Sequence, residues 1–110
     1  MKLVMRSEAR KDILRQFEYY LIEKDAETAA NRFMAAVQAA ISQVCRHPGI
    51  GAAKNLRNAK LAGLRSWPVK SFSEIRVYYL ASNEEVCVVR VLHGKRDIHP
   101  LLESSMGVES

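Results

Sequence analysis

Three things are scarce in this chain, and each scarcity removes a class of protein. No apolar run approaches the roughly 20 residues that a membrane-spanning helix requires. The N-terminus also lacks the succession of basic, apolar and small residues that marks a signal peptide. A cytoplasmic protein with no membrane partner is expected. Cysteine occurs twice, as Cys45 and Cys87, far apart and outside any CxxC spacing, so reduced thiols are expected in place of a disulfide framework, a redox motif or a zinc site. Glycine and proline, five and three in 110 residues, form no linker. No repeat or low-complexity tract divides the chain, so residues 1–110 read as a single domain.

What is present suits a globular domain. At this length a chain buries roughly two-thirds of its unfolded surface and needs neither metal nor disulfide to fold. Apolar residues make up 48% and the formal net charge is +5, with a pI near 9.5. Such a balance favours an anionic partner, either nucleic acid or an acidic protein segment, and direct nucleic-acid contact stays open.

The pattern along the chain gives an α+β order. "KLVMR" (2–6) reads as a short strand, with Ser7 as an N-cap and Glu8 in the first turn of a helix. Ile13, Phe17, Tyr20 and Leu21 continue at helical spacing to about Glu23. A second helix starts at Asp25, keeps its rhythm through Ala30, Phe33, Val37, Ala40, Ile41 and Val44, and stops at Pro48-Gly49. A link of about two residues makes the pair a hairpin. The segment 49–63 has little periodicity and is expected to hold a short turn anchored by Leu56 and Leu61. Three strand candidates follow, "LRSWPVKSF", "EIRVYYLAS" and "EVCVVRVLH", with a tight turn at Asn83 and an edge or bulge at Pro68.

Strand alternation assigns faces. Ile75, Val77, Tyr79 and Ala81 form one apolar set, and Cys87, Val89, Val91 and His93 the other; together they should receive the helical hairpin. Arg76, Tyr78 and Leu80, with Val88, Arg90 and Leu92, then lie on an open face, where the cations are either solvated or part of a binding surface. His93 is expected to be a hydrogen-bonded structural residue. Trp67, beside Pro68, is either a packed anchor or a stacking platform, and Tyr78 could add stacking area next to the arginines. Asp97 could pair with Arg96 or Lys95 where the chain leaves the sheet.

Certain residues carry a resemblance. Ala9 and Asp12-Ile13 open the first helix, Ala29-Ala30 and Phe33 lie in the second, and His47-Pro48-Gly49-Ile50-Gly51 follows it. "GLRSWPV" (63–69), "IRVYY" (75–79) and "VVRVLHGKRDIHPLL" (88–102) complete the set. In these residues and their spacing the chain resembles the RelE/ParE superfamily of bacterial toxins, and its ParE branch more closely. The resemblance runs from about Leu3 to Leu102. It implies a RelE/ParE toxin-like fold: an N-terminal strand, an antiparallel helical hairpin and a three-stranded antiparallel meander. It further implies a toxin neutralised by a small cognate antitoxin of the ParD kind, with no cofactor and no metal.

The superfamily places two activities on one scaffold. Members like RelE cut mRNA in the ribosome, whereas members like ParE act on DNA gyrase. A metal-free RNA cleaver needs a base, cations for the developing charge, and an acid. The RelE-like pattern supplies a basic pair on the first meander strand, arginines on and after the later strands, and a C-terminal tyrosine. Here Arg76, Arg96 and the adjacent Lys95 match, but the basic pair falls at about Trp67 and Val69 and the tyrosine at about Leu102. The resemblance therefore implies a non-enzymatic gyrase inhibitor with no catalytic residue, whose target- or antitoxin-contacting candidates are Arg76, Arg90, Lys95, Arg96, Tyr78 and Trp67. The alternative is a ribosome-dependent mRNA endonuclease, for which His99, Glu74 and Lys70 are the candidates. A ligand set built on Asp97 and His99 lacks the further donors that zinc requires.

Overall fold

The computed structural model describes residues 2–23, 26–54 and 59–94. In chain order these form β1 (Lys2–Met5), α1 (Ser7–Glu18), a π-helical turn (Tyr19–Glu23), α2 (Glu27–Arg46), β2 (Ala52–Ala53), a 3₁₀ turn (Ala59–Leu61), β3 (Arg65–Val69), β4 (Phe72–Ala81) and β5 (Glu85–His93). The α+β order of strand, helical hairpin and three-stranded meander is as read from the sequence. The structure adds the two-residue β2 and the arrangement of one five-stranded sheet, β1-β5-β4-β3-β2. Within it β1 runs parallel to β5 and the other neighbours are antiparallel.

Local chemistry explains the element ends. Ser7 does not cap α1. The ladder of β1 continues one residue further, with the Arg6 N–H donating to the Val88 carbonyl at 3.0 Å, so Arg6 takes the capping position and Ser7 is already helical. At the other end the α-helix gives way to a π turn from Tyr19, within the span expected to be helical. The second helix starts at Glu27 with Ala26 in the capping position, and Asp25 lies outside the described residues; its end at Arg46 is as the sequence indicates. Between β4 and β5 it is Ser82 that organises the turn beside Asn83, its hydroxyl accepting from the N–H groups of Glu84 and Glu85. A register shift falls between Pro68 and Val69, where proline's missing N–H interrupts the ladder.

The helix-facing core joins Ala9 of α1 and Phe33, Val37, Ala40 and Ile41 of α2 to Ile75, Val77, Val88 and Val91 of the sheet. An aromatic group of Tyr20, Phe33 and Phe72, with centroids 5.4 to 5.6 Å apart, ties the hairpin to β4. The face expected to be open carries a second core: Leu61 and Leu64 cover Tyr78, Val89 and Leu92. Leu61 is thus an anchor as expected, and Leu56 lies outside the described residues.

The phase of β5 differs from the alternation reading. Val88 pairs with Tyr79 and Arg90 with Tyr78, leaving Val89 as the extra residue of a bulge. Before the bulge Val86 and Val88 face the helices, and Cys87 packs on the opposite side. After it Val91 faces the helices, so the pattern resets within two residues. Both cysteines are free and only partly buried.

Candidate functional site

The helical hairpin and the sheet meet at a buried ion pair. On α1 the inward stripe Ala9, Asp12, Gln16 contains two polar residues, and Asp12 is 1% exposed. Arg90 donates to both of its carboxylate oxygens, Nε to Oδ2 at 2.7 Å and Nη2 to Oδ1 at 2.8 Å, and the Val91 N–H adds a third bond to Oδ2 at 3.0 Å. Bonding to Asp12 holds the Arg90 guanidinium above its ordinary range, although burial works in the other direction. Arg90 is therefore a structural cation and not an open-face contact, which corrects its place among the surface candidates. Gln16 adds a link, its Nε2 donating to the Val91 carbonyl at 2.9 Å.

Tyr78 and Tyr79 show the same contrast at adjacent positions. Tyr78 is fully buried, so it offers no stacking surface; the loop bearing Leu61 and Leu64 closes over it. Among the described residues its hydroxyl has no hydrogen-bond partner, and burial pushes its pKa up while the charge of Arg76 pulls it back. Tyr79 is core, as expected. Its hydroxyl donates to the Pro48 carbonyl at 2.7 Å and accepts from the Gly51 N–H at 2.9 Å, while Arg65 Nη1 donates to the Gly51 carbonyl at 2.8 Å. The residues after α2 are thereby pinned to the sheet.

Among the described residues, the partly buried Arg76 is the candidate cation that remains near the end of β5. Its Nε donates to Ser66 Oγ at 2.9 Å, and its stem lies where a side chain on Gly94 would have to go, 3.0 Å from that Cβ position. Glycine thus allows β5 to exit directly across Arg76. His93 stands on the helix side at the end of β5, opposite Ile75 and in a cleft with Arg15, Gln16, Tyr19 and Tyr20, but it is exposed and not buried in the core. Its Nδ1 lies 3.7 Å from Glu74 Oε2, and both side chains are about half exposed. These two share a cleft with Tyr20 and Phe72, whereas Lys70 lies against α2 in a separate groove. Trp67 is a packed anchor: its ring lies against both helix-side clusters and its Nε1 donates to Gln43 Oε1 at 3.2 Å. Lys95, Arg96, Asp97 and His99 lie outside the described residues.

A further groove, of about 470 Å³, is lined by Met5, Arg10, Ile13, Leu14, Phe17 and Met34. Leu14 is 57% exposed within it. Among the described residues no three of His, Cys, Asp and Glu gather as a metal ion would need, and no helix is long and apolar enough to cross a membrane.

Sequence reasoning used Asp12 only as part of the resemblance and gave no role to Gln16 or Ser66. The signal for the first two was available, since both fall at helical spacing on the stripe that buries Ala9.

Comparison with known proteins agrees with this architecture. No curated protein sequence matches the chain. Among solved structures it is similar to a chain of the chromosomal ParDE toxin-antitoxin system from P. aeruginosa, with a TM-score of 0.56 at 17% identity over 84% of this chain and 95% of that one. It is also similar to a YoeB/ParE toxin from Agrobacterium tumefaciens, with a TM-score of 0.53 at 22% identity over 84% and 98%. Both likenesses concern the fold. Residues 3–98 match the family described as the ParE toxin of the type II toxin-antitoxin system parDE, and the chain belongs to that family.

Proposed function

We propose that this toxin is a non-enzymatic inhibitor of DNA gyrase, acting in the cytoplasm as one domain spanning residues 1–110. The observation that carries this reading is the state of the positions where a metal-free ribonuclease would need reactive groups. Trp67 is packed and bonded to Gln43, and Val69 is fully buried. Neither can transfer a proton, and loss of an acid or base typically costs about 10²- to 10⁴-fold. Arg76, with Lys95 and Arg96 beyond it in sequence, would then contact the target through charge and hydrogen bonds.

The antitoxin partner fits the apolar groove. A small ParD-like protein with a disordered amphipathic tail would fold onto Met5, Ile13, Leu14, Phe17 and Met34, as amphipathic segments do in hydrophobic grooves. Leu14→Glu should then leave the toxin active and abolish its neutralisation.

A second reading rests on His93 and Glu74, an imidazole and a carboxylate 3.7 Å apart in one cleft, which could serve an mRNA endonuclease as base and acid. Brief induction without antitoxin, with the DNA-damage response and transcript cleavage scored together, separates the two. The gyrase reading expects a damage response with intact transcripts. Cut transcripts that become intact in His93→Ala or His99→Ala would replace it with the nuclease reading.

A further inference from the structure

The charge of this chain is unevenly placed. All 12 acidic residues lie outside positions 28–73, a segment that nevertheless holds seven of the 17 lysines and arginines. The fold gathers three of those cations around one groove, where the β3–β4 turn lies against α2. Ala29, Ala35, Ala36 and Ala39 line it together with Arg32 and Lys70, in a volume of about 570 Å³. It continues along α2 into a smaller hollow of about 220 Å³ that reaches Arg46. Arg32, Arg46 and Lys70 are all exposed, and none belongs to an ion pair among the described residues.

The spacing gives this groove a direction. Arg32, Ala36, Ala39, Gln43 and Arg46 fall at i, i+4, i+7, i+11 and i+14 of α2, so they share one face. At 1.5 Å per residue the two arginines stand about 21 Å apart along the axis. Between them the alanines present only methyl groups, which lets another backbone approach closely, and helix axes pack nearest where contact side chains are small. A nucleic-acid backbone would gain little from that floor, because phosphate contacts are made by donors and not by methyls.

We infer that the groove between α2 and the β3–β4 turn is a docking site for an acidic amphipathic helix of a partner protein. The helix would lay small apolar residues on the alanine floor and set carboxylates opposite Arg32, Lys70 and Arg46. Charge complementarity selects the partner and its direction. This site is separate from the apolar groove beside α1, since Met34 and Ala35 of α2 belong to the two different grooves. It does not depend on gyrase being the target.

The test uses the full chain and a labelled, stapled 20-residue helix with alanine on one face and glutamate on its flanks, followed by fluorescence anisotropy at low and high salt. Wild type should bind it in a salt-sensitive manner. The triple variant Arg32→Gln, Lys70→Gln, Arg46→Gln should lose at least tenfold in affinity. Ala39→Trp, which fills the floor without altering charge at an exposed position, should lose as much, and Arg10→Gln in the other groove should stay within twofold. A helix with lysine in place of glutamate should bind the charge-reversed variant Arg32→Glu, Lys70→Glu, Arg46→Glu and not the wild type, which keeps the test valid should tryptophan disturb the fold. The proposal is overturned if wild type does not bind the acidic helix or if Ala39→Trp binds it unchanged. It is also overturned if a 20-bp DNA duplex binds more tightly than the helix and ignores Ala39→Trp, which would mark a phosphate-contacting face.

Discussion

Asp12 and Arg90, 78 positions apart in sequence, form a buried two-bonded ion pair that joins α1 to β5. The pair fixes how the helical hairpin sits on the sheet, because its acid belongs to one layer and its cation to the other. Removing one partner leaves the other charged and buried, which typically costs about 3–5 kcal/mol. Asp12→Ala and Arg90→Ala should each lower stability by that order. Replacing both with leucine should cost clearly less than the sum. Urea unfolding of the four proteins measures this, and an Arg90→Ala protein as stable as wild type would return Arg90 to the surface.

Tyr78→Phe and Tyr79→Phe should differ in their effect on stability. The Tyr78 hydroxyl is buried without a partner among the described residues, so deleting it should be neutral or stabilise by up to about 1–2 kcal/mol. Deleting the Tyr79 hydroxyl strands the Pro48 carbonyl and the Gly51 N–H that it binds, and should cost about 1–3 kcal/mol. Thermal melts of the two variants decide the matter.

Alkali should weaken the fold through the same residues. Burial raises both phenols above the ordinary value of 10.0, against the opposing effects of Arg76 on Tyr78 and of the Gly51 N–H and Arg65 on Tyr79. From pH 10 upward the unfolded chain releases these protons while the folded chain retains them. The folded state then binds more protons, so stability falls as pH rises. Below pH 10 both states hold the protons and this contribution is fully present. Unfolding measured from pH 8 upward should show a steeper alkaline loss in wild type than in the double phenylalanine variant.

Gly51 and Gly49 make a matched pair two residues apart. A Cβ on Gly51 would stand 2.6 Å from the Tyr79 hydroxyl and 2.8 Å from the Ser66 carbonyl, whereas one on Gly49 meets nothing within 4 Å among the described residues. Gly51→Ala should therefore cost about 1–3 kcal/mol, the usual range for overpacking, and Gly49→Ala should stay within about 0.5 kcal/mol. Equal melting temperatures for the two variants would mean that the loop after α2 is not held against Tyr79.

The parts legible in the sequence are those set by local period. The two helices announce themselves through residues such as Phe33, Val37 and Val44, and the meander through "IRVYY" and "VCVVRV". The faces of β5 were not legible, because the bulge at Val89 is set by pairing with Tyr78 and Tyr79 and leaves no mark in the strand's own alternation. The cover over Tyr78 was hidden for a related reason. Leu61 and Leu64 come from a segment without periodicity, and only the folded chain shows that they close the second face. The candidate site fared accordingly: Arg76 and Trp67 could be placed on their strands, but the burial of Arg90 depended on an acid in another layer.

The central claim is tested most directly with purified toxin, purified gyrase and supercoiled and relaxed plasmid, with ribosome-bound mRNA assayed in parallel. The account predicts inhibited supercoiling, accumulation of cleaved DNA held by gyrase, and uncut mRNA. Unimpaired supercoiling together with codon-specific mRNA cleavage would contradict it.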